Sequence, residues 1–302
     1  MMDKNTLNAL WRRIIRWSLG IGLVLGVFLL VFWAACAVTE STEPVVVHYS
    51  VPTEIDNQIR IVQLTDLHGW EFGEKNQRLV ELVTAQAPDL ILMTGDMLSR
   101  SDENAEVACD LIRRLLPIAP VYYGYGNHEY AWMTNHGQSL TPVLEAAGAI
   151  VLDVAYTDVE INGQALRIGG YHGYYRQPHM YTIVKAEMER ELEFCEAFED
   201  TDRYKILLSH VPTAWLDWGY MDQYPVDLVL SGHYHGGQVR LPLIGGVYAP
   251  YVGLFPEYTR GMYTGAEAVC ILSAGLGTGP KIPRINSLPE LTVVDLISNS
   301  AG

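Results

Sequence analysis

Cysteines are few in this chain of 302 residues, and their spacing excludes two kinds of small stabilised domain. The four cysteines form no C-x-x-C pair, so the sequence contains neither a zinc knuckle nor a disulfide framework. Cys109 and Cys195 lie in helical patterns and Cys270 in a strand pattern, which predicts that these three are small buried hydrophobic residues. No internal repeat or low-complexity tract is present, which excludes a repeat architecture.

Basic residues are also scarce. The chain has 20 Lys and Arg against 35 Asp and Glu, for a formal net charge of −15. An acidic surface argues against nucleic acid as a partner, because phosphate backbones bind in basic grooves. It leaves room for a small phosphate substrate, since bound metal ions supply local positive charge. With 49% hydrophobic residues, the chain is long enough for one large domain with a full core.

An uncharged run from Trp17 to Val38 predicts a transmembrane helix. As a helix it would measure roughly 33 Å, enough to cross a hydrocarbon core of about 30 Å. Basic residues precede it, and none follows until Arg60, so the positive-inside rule places the main domain outside the cytoplasm. We therefore predict a cytoplasmic basic segment over 1–16, a transmembrane helix over 17–38, a spacer over 39–59, and a single-pass cell-membrane protein whose main domain spans 60–302.

Three other interpretations of the same segment involve its removal. A signal peptide cleaved after Ala37, a lipoprotein site at Cys36 and a twin-arginine signal at Arg12–Arg13 each match part of the pattern. The length of the apolar run favours an uncleaved anchor, and Trp33 weakens the lipoprotein site. A buried helix is disfavoured because the segment is apolar all round.

The rest of the chain is organised around the stretch from Ile61 to His68. Its apolar, partly β-branched residues predict a buried strand that ends in Asp66 and His68. In extended chain, residues two apart point to the same side, so both side chains would converge on one point. A carboxylate and an imidazole together suit a first-row divalent metal.

Four further predicted strands end in the same kinds of residue. A lone Asp after a strand is usually a helix cap and a lone His a hydrogen-bonded core residue, but five such strand ends in order favour a shared metal site. Seven ligands exceed one coordination sphere and fit two ions about 3.5–4 Å apart that share one carboxylate. The candidate ligands are Asp66, His68, Asp96, Asn127, His210, His233 and His235.

Strands alternate with helices before hairpins appear, which predicts an α/β fold of two packed mixed sheets flanked by helices. Helices are predicted at Asn76–Ala87, Asn104–Leu116, Pro142–Ala147 and Ile183–Phe198. Asn162–Gly163 predicts a hairpin turn, and Val45–Val47 an edge strand. All the polar strand ends are carboxyl ends, where open α/β sheets build their sites.

These residues resemble the five-block signature of the calcineurin-like metallophosphoesterases. The blocks are Asp66-x-His68, Gly95–Asp96, Gly126–Asn127–His128–Glu129, His210 and Gly232–His233–Tyr234–His235, and the resemblance covers Arg60 to Leu296. It implies an α/β/β/α sandwich. Four later segments resemble membrane-anchored or exported bacterial phosphoesterases related to UDP-diacylglucosamine pyrophosphatase-like enzymes: Gly236–Pro242, Arg260–Tyr263, Gly275–Gly277 and Pro289–Leu291.

The resemblance implies a role for each ligand. Asp66, His68 and His235 would hold one divalent transition-metal ion, Asn127, His210 and His233 a second, and Asp96 would bridge them. A hydroxide between the ions would be the nucleophile, with no covalent intermediate. His128 would face the substrate, either stabilising the transition state or protonating the leaving oxygen. The ligand types leave Mn, Fe, Zn, Co and Ni open.

Two aromatic segments are candidates for substrate contacts. Relatives tend to carry an acidic turn where this chain has Gly169–Arg176, so His172, Tyr174 and Arg176 are candidates, and a Tyr-rich surface loop is an equal alternative. A loop with Tyr248, Tyr251, Phe255 and Tyr258 suits a membrane contact or a lipid groove, although ordinary loop packing is favoured. The remaining histidines, His48, His136 and His179, are predicted to lie on the surface.

The sequence therefore predicts a dinuclear metal-dependent phosphodiesterase or pyrophosphatase. We expect it to act outside the cytoplasmic membrane on a phosphorylated small molecule or a lipid-linked or cell-envelope phosphate. A phosphoprotein phosphatase and a non-catalytic metal-binding module on the same fold are the alternatives. The presence of every ligand and of His128 favours catalysis.

Overall fold

A computed structural model describes residues 4–37, 43–180, 183–277 and 284–298, and the chain divides into two units, 1–40 and 41–302. The first unit contains helix α1, Lys4–Ala37. Many of its described large apolar side chains are exposed, among them Trp11, Trp17 and Leu23. Within the described residues, no helix combines the length and apolarity needed to cross a bilayer. The transmembrane helix predicted over 17–38 is therefore not supported, and Val38 lies outside the described residues.

The second unit alternates strands and helices in its first half and has mainly strands in its last third. Its helices are α2 (Gln77–Gln86), α3 (Glu106–Leu115), α4 (Asn127–His136), α5 (Thr141–Ala146), α6 (Lys185–Glu199) and α7 (Thr213–Leu216). The strands of its first half are β1 (Val45–Thr53), β2 (Ile59–Leu64), β3 (Leu90–Thr94), β4 (Val121–Gly124), β5 (Ile150–Leu152), β6 (Ala155–Ile161) and β7 (Gln164–Gly170). The later strands are β8 (Tyr204–Leu208), β9 (Leu228–Ser231), β10 (Arg240–Leu241), β11 (Gly245–Gly246), β12 (Tyr248–Ala249), β13 (Gly253–Leu254), β14 (Gly261–Thr264), β15 (Val269–Leu272) and β16 (Glu290–Ser298).

The second unit contains two mixed sheets of six strands each. The first has the order β1-β16-β2-β3-β4-β5, with β2 to β5 parallel and β16 antiparallel to β2. The second has the order β14-β15-β9-β8-β7-β6, with β15, β9, β8 and β7 parallel and the outer strands antiparallel. Two small hairpins, β10–β11 and β12–β13, follow β9.

The alternation of side chains along the strands explains why the sheets pack face to face. In β2, Ile61 points into the layer between the sheets, whereas Val62 and Leu64 point to the outer face, where α2 and α3 pack. In β8, Ile206 enters the same middle layer and Leu207 packs outward among side chains of α6 and α7. Both faces of each sheet are thus buried, which accounts for the unbroken apolar runs of the central strands. The predicted fold of two mixed sheets flanked by helices is confirmed.

Most predicted elements lie within two residues of their observed bounds, and the differences have local causes. The hairpin of β6 and β7 turns at Asn162 and Gly163, both with positive φ, as predicted. Strand β1 is an edge strand but runs on to Thr53, because it pairs with β16 along its whole length. Helix α4 was not predicted. It begins at Asn127 directly after β4, and its first turn carries residues that the sequence analysis assigned to the metal site.

Candidate metal centre

The carboxyl ends of five parallel strands meet at one edge of the two sheets. Asp66, Asp96 and Asn127 follow β2, β3 and β4 of the first sheet, while His210 follows β8 of the second. His233 and His235 follow β9, also in the second sheet. All seven candidate ligands are buried or nearly so, and six of them, all except Asn127, form two adjoining groups.

The first group contains Asp66, His68 and His235. The Nε2 atom of His235 lies 3.5 Å from Oδ1 of Asp66 and 3.4 Å from Nε2 of His68. The Nε2 atom of His68 lies 3.9 Å from the same carboxylate oxygen. These three ligand atoms lie within 4.8 Å of one another, a spacing that suits a single ion between them.

The second group contains Asp96, His210 and His233, again with ligand atoms within 4.8 Å. Oδ2 of Asp96 lies 3.1 Å from Nε2 of His210 and 4.0 Å from Nε2 of His68. Asp96 therefore faces both groups with one oxygen, while its Oδ1 accepts a 2.7 Å hydrogen bond from the backbone N–H of His128.

Two ligand atoms near the second group are buried without a hydrogen-bond partner in the described part of the chain: Oδ1 of Asn127 and Nε2 of His233. Burying such polar atoms unpaired costs a few kcal/mol each, so their convergence needs a compensating ligand. The Nδ1 atom of His210 lies 2.8 Å from the carbonyl of Thr94, which fixes its proton on Nδ1 and leaves the Nε2 lone pair for a cation. The carboxylate, amide and imidazole donors present fit divalent transition-metal ions.

Backbone conformation, not an extended strand end, makes the ligands converge. Asp66, His68, Asp96, His233 and His235 all have φ between 49° and 71°, in the left-handed region that non-glycine residues rarely adopt. The expectation that Asp66 and His68 converge in extended chain is therefore wrong in its geometry, although the two side chains do meet. Such strained conformations persist where the surroundings fix them, and they gather at functional sites.

Glycines make room for these turns. Gly95 has a φ of 91°, and a Cβ there would lie 2.4 Å from the backbone nitrogen of Gly126. A Cβ on Gly232 would lie 2.2 Å from Oδ2 of Asp66. Both contacts are too short for any side chain, so the loops after β3 and β9 require glycine to approach the site.

The electrostatics of the cluster favour a bound cation. Burial raises the pKa of Asp66 to about 6. Burial alone would lower the pKa of His210, but the carboxylates of Asp96 and Asp66 outweigh it and raise that pKa to about 10. The site thus has a negative potential that attracts a proton in the absence of any other cation, and a metal ion satisfies the same potential. Burial lowers the pKa of His68 to about 3, and also that of His233 and His235, so these imidazoles are neutral donors.

Glu129 links the loops that follow β3 and β4, a role that was not predicted from the sequence. Its buried carboxylate accepts hydrogen bonds from the backbone N–H groups of Asp96, Met97 and Gly126, at 2.8–2.9 Å, and from the hydroxyl of Tyr123 at 2.7 Å. It is the third residue of α4, where a Glu side chain commonly caps the helix. The position of Asp96 therefore depends on Glu129.

His128 and Arg100 face each other beside the first group. The imidazole of His128 contacts that of His68 edge-on, with ring centroids 4.5 Å apart. The backbone N–H of Arg100 donates to Nδ1 of His128 at 3.1 Å, which places the imidazole proton on Nε2. Nη2 of Arg100 lies 3.3 Å from that Nε2, so two donors point at one spot. An anionic oxygen there would accept from both. The sequence analysis did not identify Arg100, which is exposed and follows Asp96 by four positions.

Arg284 is a buried cation that the sequence analysis also missed. Its guanidinium donates to the carbonyls of Gly277 and Ala274, both at 2.7 Å, and lies 3.3 Å from Nδ1 of His235. Burial lowers its pKa to about 10, which leaves it charged at neutral pH. It links the loop after β15 to the loop that carries His235. No local pattern in the sequence distinguishes it.

The three residues predicted to contact substrate lie in two different environments. His172 and Tyr174 line a cavity that reaches Asn127. Arg176 instead forms a two-point ion pair with Glu199, at 2.7 and 2.9 Å, and does not line that cavity. In the second aromatic segment, the ring of Tyr251 stacks on His233 at 4.8 Å, while Tyr258 packs on Tyr263.

The predictions for residues outside the site are confirmed where the structure describes them. His48, His136 and His179 are exposed. Cys109, Cys195 and Cys270 are buried free cysteines.

Comparisons with known proteins show which family this chain resembles. The family model described as calcineurin-like phosphoesterase matches residues 59–237, more than half of the chain. The chain is 28% identical over 267 residues to the metallophosphoesterase YkuE of Bacillus subtilis, covering 86% of each protein. It is 27% identical over 245 residues to the phosphodiesterase YaeI of Escherichia coli, covering 79% of this chain and 82% of that protein. A solved 5'-nucleotidase precursor of Thermus thermophilus aligns with a TM-score of 0.46 and 16% identity, over 80% of this chain and about half, 54%, of that one.

Proposed function

This chain belongs to the calcineurin-like phosphoesterase family, and we propose that it is a phosphodiesterase or pyrophosphatase that works with two divalent transition-metal ions. Membership makes it a hydrolase that acts on phosphate esters. The observation that carries the two-ion proposal is the position of Asp96, whose Oδ2 faces His210 at 3.1 Å and His68 at 4.0 Å. One oxygen between two complete ligand groups is the arrangement expected of a bridging carboxylate.

Some residues of the chain would bind the ions, and others hold those ligands in position. When bound, the ions supply Lewis acidity that activates water and offsets charge on the phosphate oxygens. Asp66, His68 and His235 would hold one ion, and Asn127, His210 and His233 the other. Glu129 and the glycine turns hold these side chains in place before substrate arrives, so little reorganisation is needed during the reaction.

His128 and Arg100 would bind the phosphoryl group. The Nε2–H of His128 and the guanidinium of Arg100 meet at a spot next to the first ligand group. Both donate to a phosphate oxygen there, and the cationic Arg100 also neutralises part of its charge. This pair supplies positive charge to a chain that is otherwise acidic.

An activity panel tests the proposed reaction. The purified chain loaded with Mn²⁺ should hydrolyse bis(4-nitrophenyl) phosphate or a nucleoside diphosphate sugar faster than 4-nitrophenyl phosphate. It should act on phosphopeptides more slowly still, since nothing in the sequence indicates a phosphopeptide groove. Release of nitrophenolate and of inorganic phosphate is measured with and without chelator. A preference for phosphopeptides would contradict the proposal and favour the phosphoprotein phosphatase alternative.

We also propose that the catalytic unit lies outside the cytoplasmic membrane and acts on a lipid-linked or cell-envelope phosphate. Support comes from the uncharged run after Arg16 and the lack of Lys or Arg between it and Arg60. The exposed ring of Tyr251, which stacks on His233, agrees with an apolar substrate or surface.

Protease accessibility tests this location. Protease added to intact protoplasts should degrade the catalytic unit, because an external domain is within its reach. A cytoplasmic protein in the same cells serves as the control and should survive. Digestion that occurs only after lysis would reverse the proposed topology.

A further inference from the structure

A cavity of about 230 Å³ opens beside the second ligand group. Within the described residues it is lined by Asn127, His172, Gly173, Tyr174, Met180, Val211 and Tyr251. Its inner end is closed by the metal-ligand candidate Asn127 and by buried Val211. Tyr251 and Met180 are exposed and form its outer wall. A group in this cavity would therefore reach from solvent to Asn127, beside the second ligand group.

The lining suits a flat ring. Tyr174 and Tyr251 contribute aromatic faces, Met180 a polarisable thioether, and Val211 an aliphatic floor. Each tyrosine ring packs against another ring: Tyr251 stacks on His233 at 4.8 Å, and Tyr174 packs against Trp218 at 4.9 Å. Rings supported in this way lose little conformational freedom when they stack on a ligand. The described lining contains no Lys, Arg, Asp or Glu, so a charged substituent would find no partner in it.

The cavity does not include the His128–Arg100 pair in its described lining. Its described lining includes Asn127, beside the second group, but not His128. The imidazole of His128 lies instead against His68 of the first group, and its Nε2 faces Arg100. If the departing ester oxygen lies on the side of the His128–Arg100 pair, the substituent in the cavity belongs to the other ester bond, which stays intact.

We propose that the cavity of Tyr174 and Tyr251 binds a planar aromatic ring on the retained arm of a phosphodiester. This inference rests on the proposed phosphodiesterase activity and names a substrate class for the same site. Hydrolysis would then release the departing alcohol first and leave a monoester whose ring remains between the tyrosines. The cavity would select diesters by their retained arm rather than by their leaving group.

Two diesters with the same leaving group test the proposal. Bis(4-nitrophenyl) phosphate has an aromatic retained arm, and methyl 4-nitrophenyl phosphate does not. Tyr251→Ala should raise KM for the first by about 5- to 100-fold, the range expected for one lost ring stack, with kcat little changed. KM for the methyl diester should not change. Tyr174→Ala should behave in the same way, and Tyr251→Phe, which keeps the ring, should show a smaller rise in KM for bis(4-nitrophenyl) phosphate than Tyr251→Ala.

Leu254→Ala is the matched control, because Leu254 is an exposed apolar residue of the same loop that does not line the cavity. Equal rises in KM for both diesters in Tyr251→Ala would assign the ring to the leaving group and overturn the proposal. An unchanged KM for both diesters in the two alanine variants would show that the cavity binds no ring.

A binding experiment separates failure of this inference from failure of the proposed reaction. By calorimetry, phenylphosphonate should bind the wild-type protein more tightly than methylphosphonate, and Tyr251→Ala should remove the difference. If the protein hydrolyses neither diester but still prefers phenylphosphonate, the proposed reaction is wrong and the ring site stands. Equal affinity for the two phosphonates would overturn the ring site, whatever the enzymatic activity.

Discussion

Asp96→Asn is expected to lower kcat for diester hydrolysis by at least about 10³-fold, since a single electrostatic group at such a site contributes about 10²–10³-fold and Asp96 faces both ligand groups. The hydrogen bonds explain why an amide cannot substitute. Oδ1 of Asp96 accepts from the backbone N–H of His128, so an Asn would keep its oxygen there. Its NH₂ group would then point at the ions and repel them.

Elemental analysis and kinetics on the same preparation check this expectation. Purified Asp96→Asn should lose at least one of two bound ions, with its circular dichroism spectrum unchanged. Asp110→Asn is the matched control, because Asp110 forms an i,i+4 ion pair with Arg114 on helix α3 and belongs to neither ligand group. Such partly exposed pairs contribute little to stability, so the control should keep full activity. Two ions per chain in Asp96→Asn would refute the bridging role.

The sequence carried enough information to place the seven candidate ligands at one edge of the sheets. Each follows a strand that is apolar on both faces, and the carboxyl ends of parallel strands meet at one edge. The local sequence pattern was therefore sufficient to predict which residues meet. The local pattern could not predict the backbone geometry at these residues. The left-handed conformations of Asp66 and Asp96 depend on hydrogen bonds between separate loops. The N–H of Asp66 donates to the carbonyl of Gly95, and the N–H of His68 donates to the carbonyl of Asp96.

The supporting residues were harder to find because their roles depend on distant contacts. Glu129 was visible in a motif, but its four donors come from three separate loops or strands. Arg284 lies 49 residues after His235, whose imidazole it approaches. The cavity of Tyr174 and Tyr251 is lined by separate segments, among them those around Asn127, His172 and Tyr251. No periodic pattern in the sequence indicates that these segments meet. Arg176 looked like a substrate ligand in sequence because its partner, Glu199, lies on a helix 23 residues away.

His128→Ala is expected to lower kcat by about 10²–10³-fold while both ions stay bound, because the imidazole contributes a hydrogen bond rather than a ligand. Sequence reasoning left two roles open for His128, transition-state stabilisation and proton donation. The structure favours the first. Nδ1 of His128 accepts a hydrogen bond from the backbone N–H of Arg100. A proton on Nδ1, which the cationic imidazole requires, would point at that N–H donor. Burial lowers the pKa of His128 below its usual value, which further favours the neutral form with its proton on Nε2.

His128→Gln separates the two roles, because the Gln amide can present an N–H near the position of Nε2 but cannot transfer a proton. For a donor role, Gln should recover part of the loss seen in Ala, and the defect in Ala should be similar for 4-nitrophenyl and methyl leaving groups. The wild-type kcat should also not fall as pH rises from about 6.5 to 9, since the neutral imidazole persists above its pKa. No recovery in Gln, with a defect that nearly vanishes for nitrophenolate, would instead make His128 a proton donor. Loss of an ion in His128→Ala would mean that His128 is itself a ligand, an arrangement that its placement near His68 and Asp96 makes geometrically accessible.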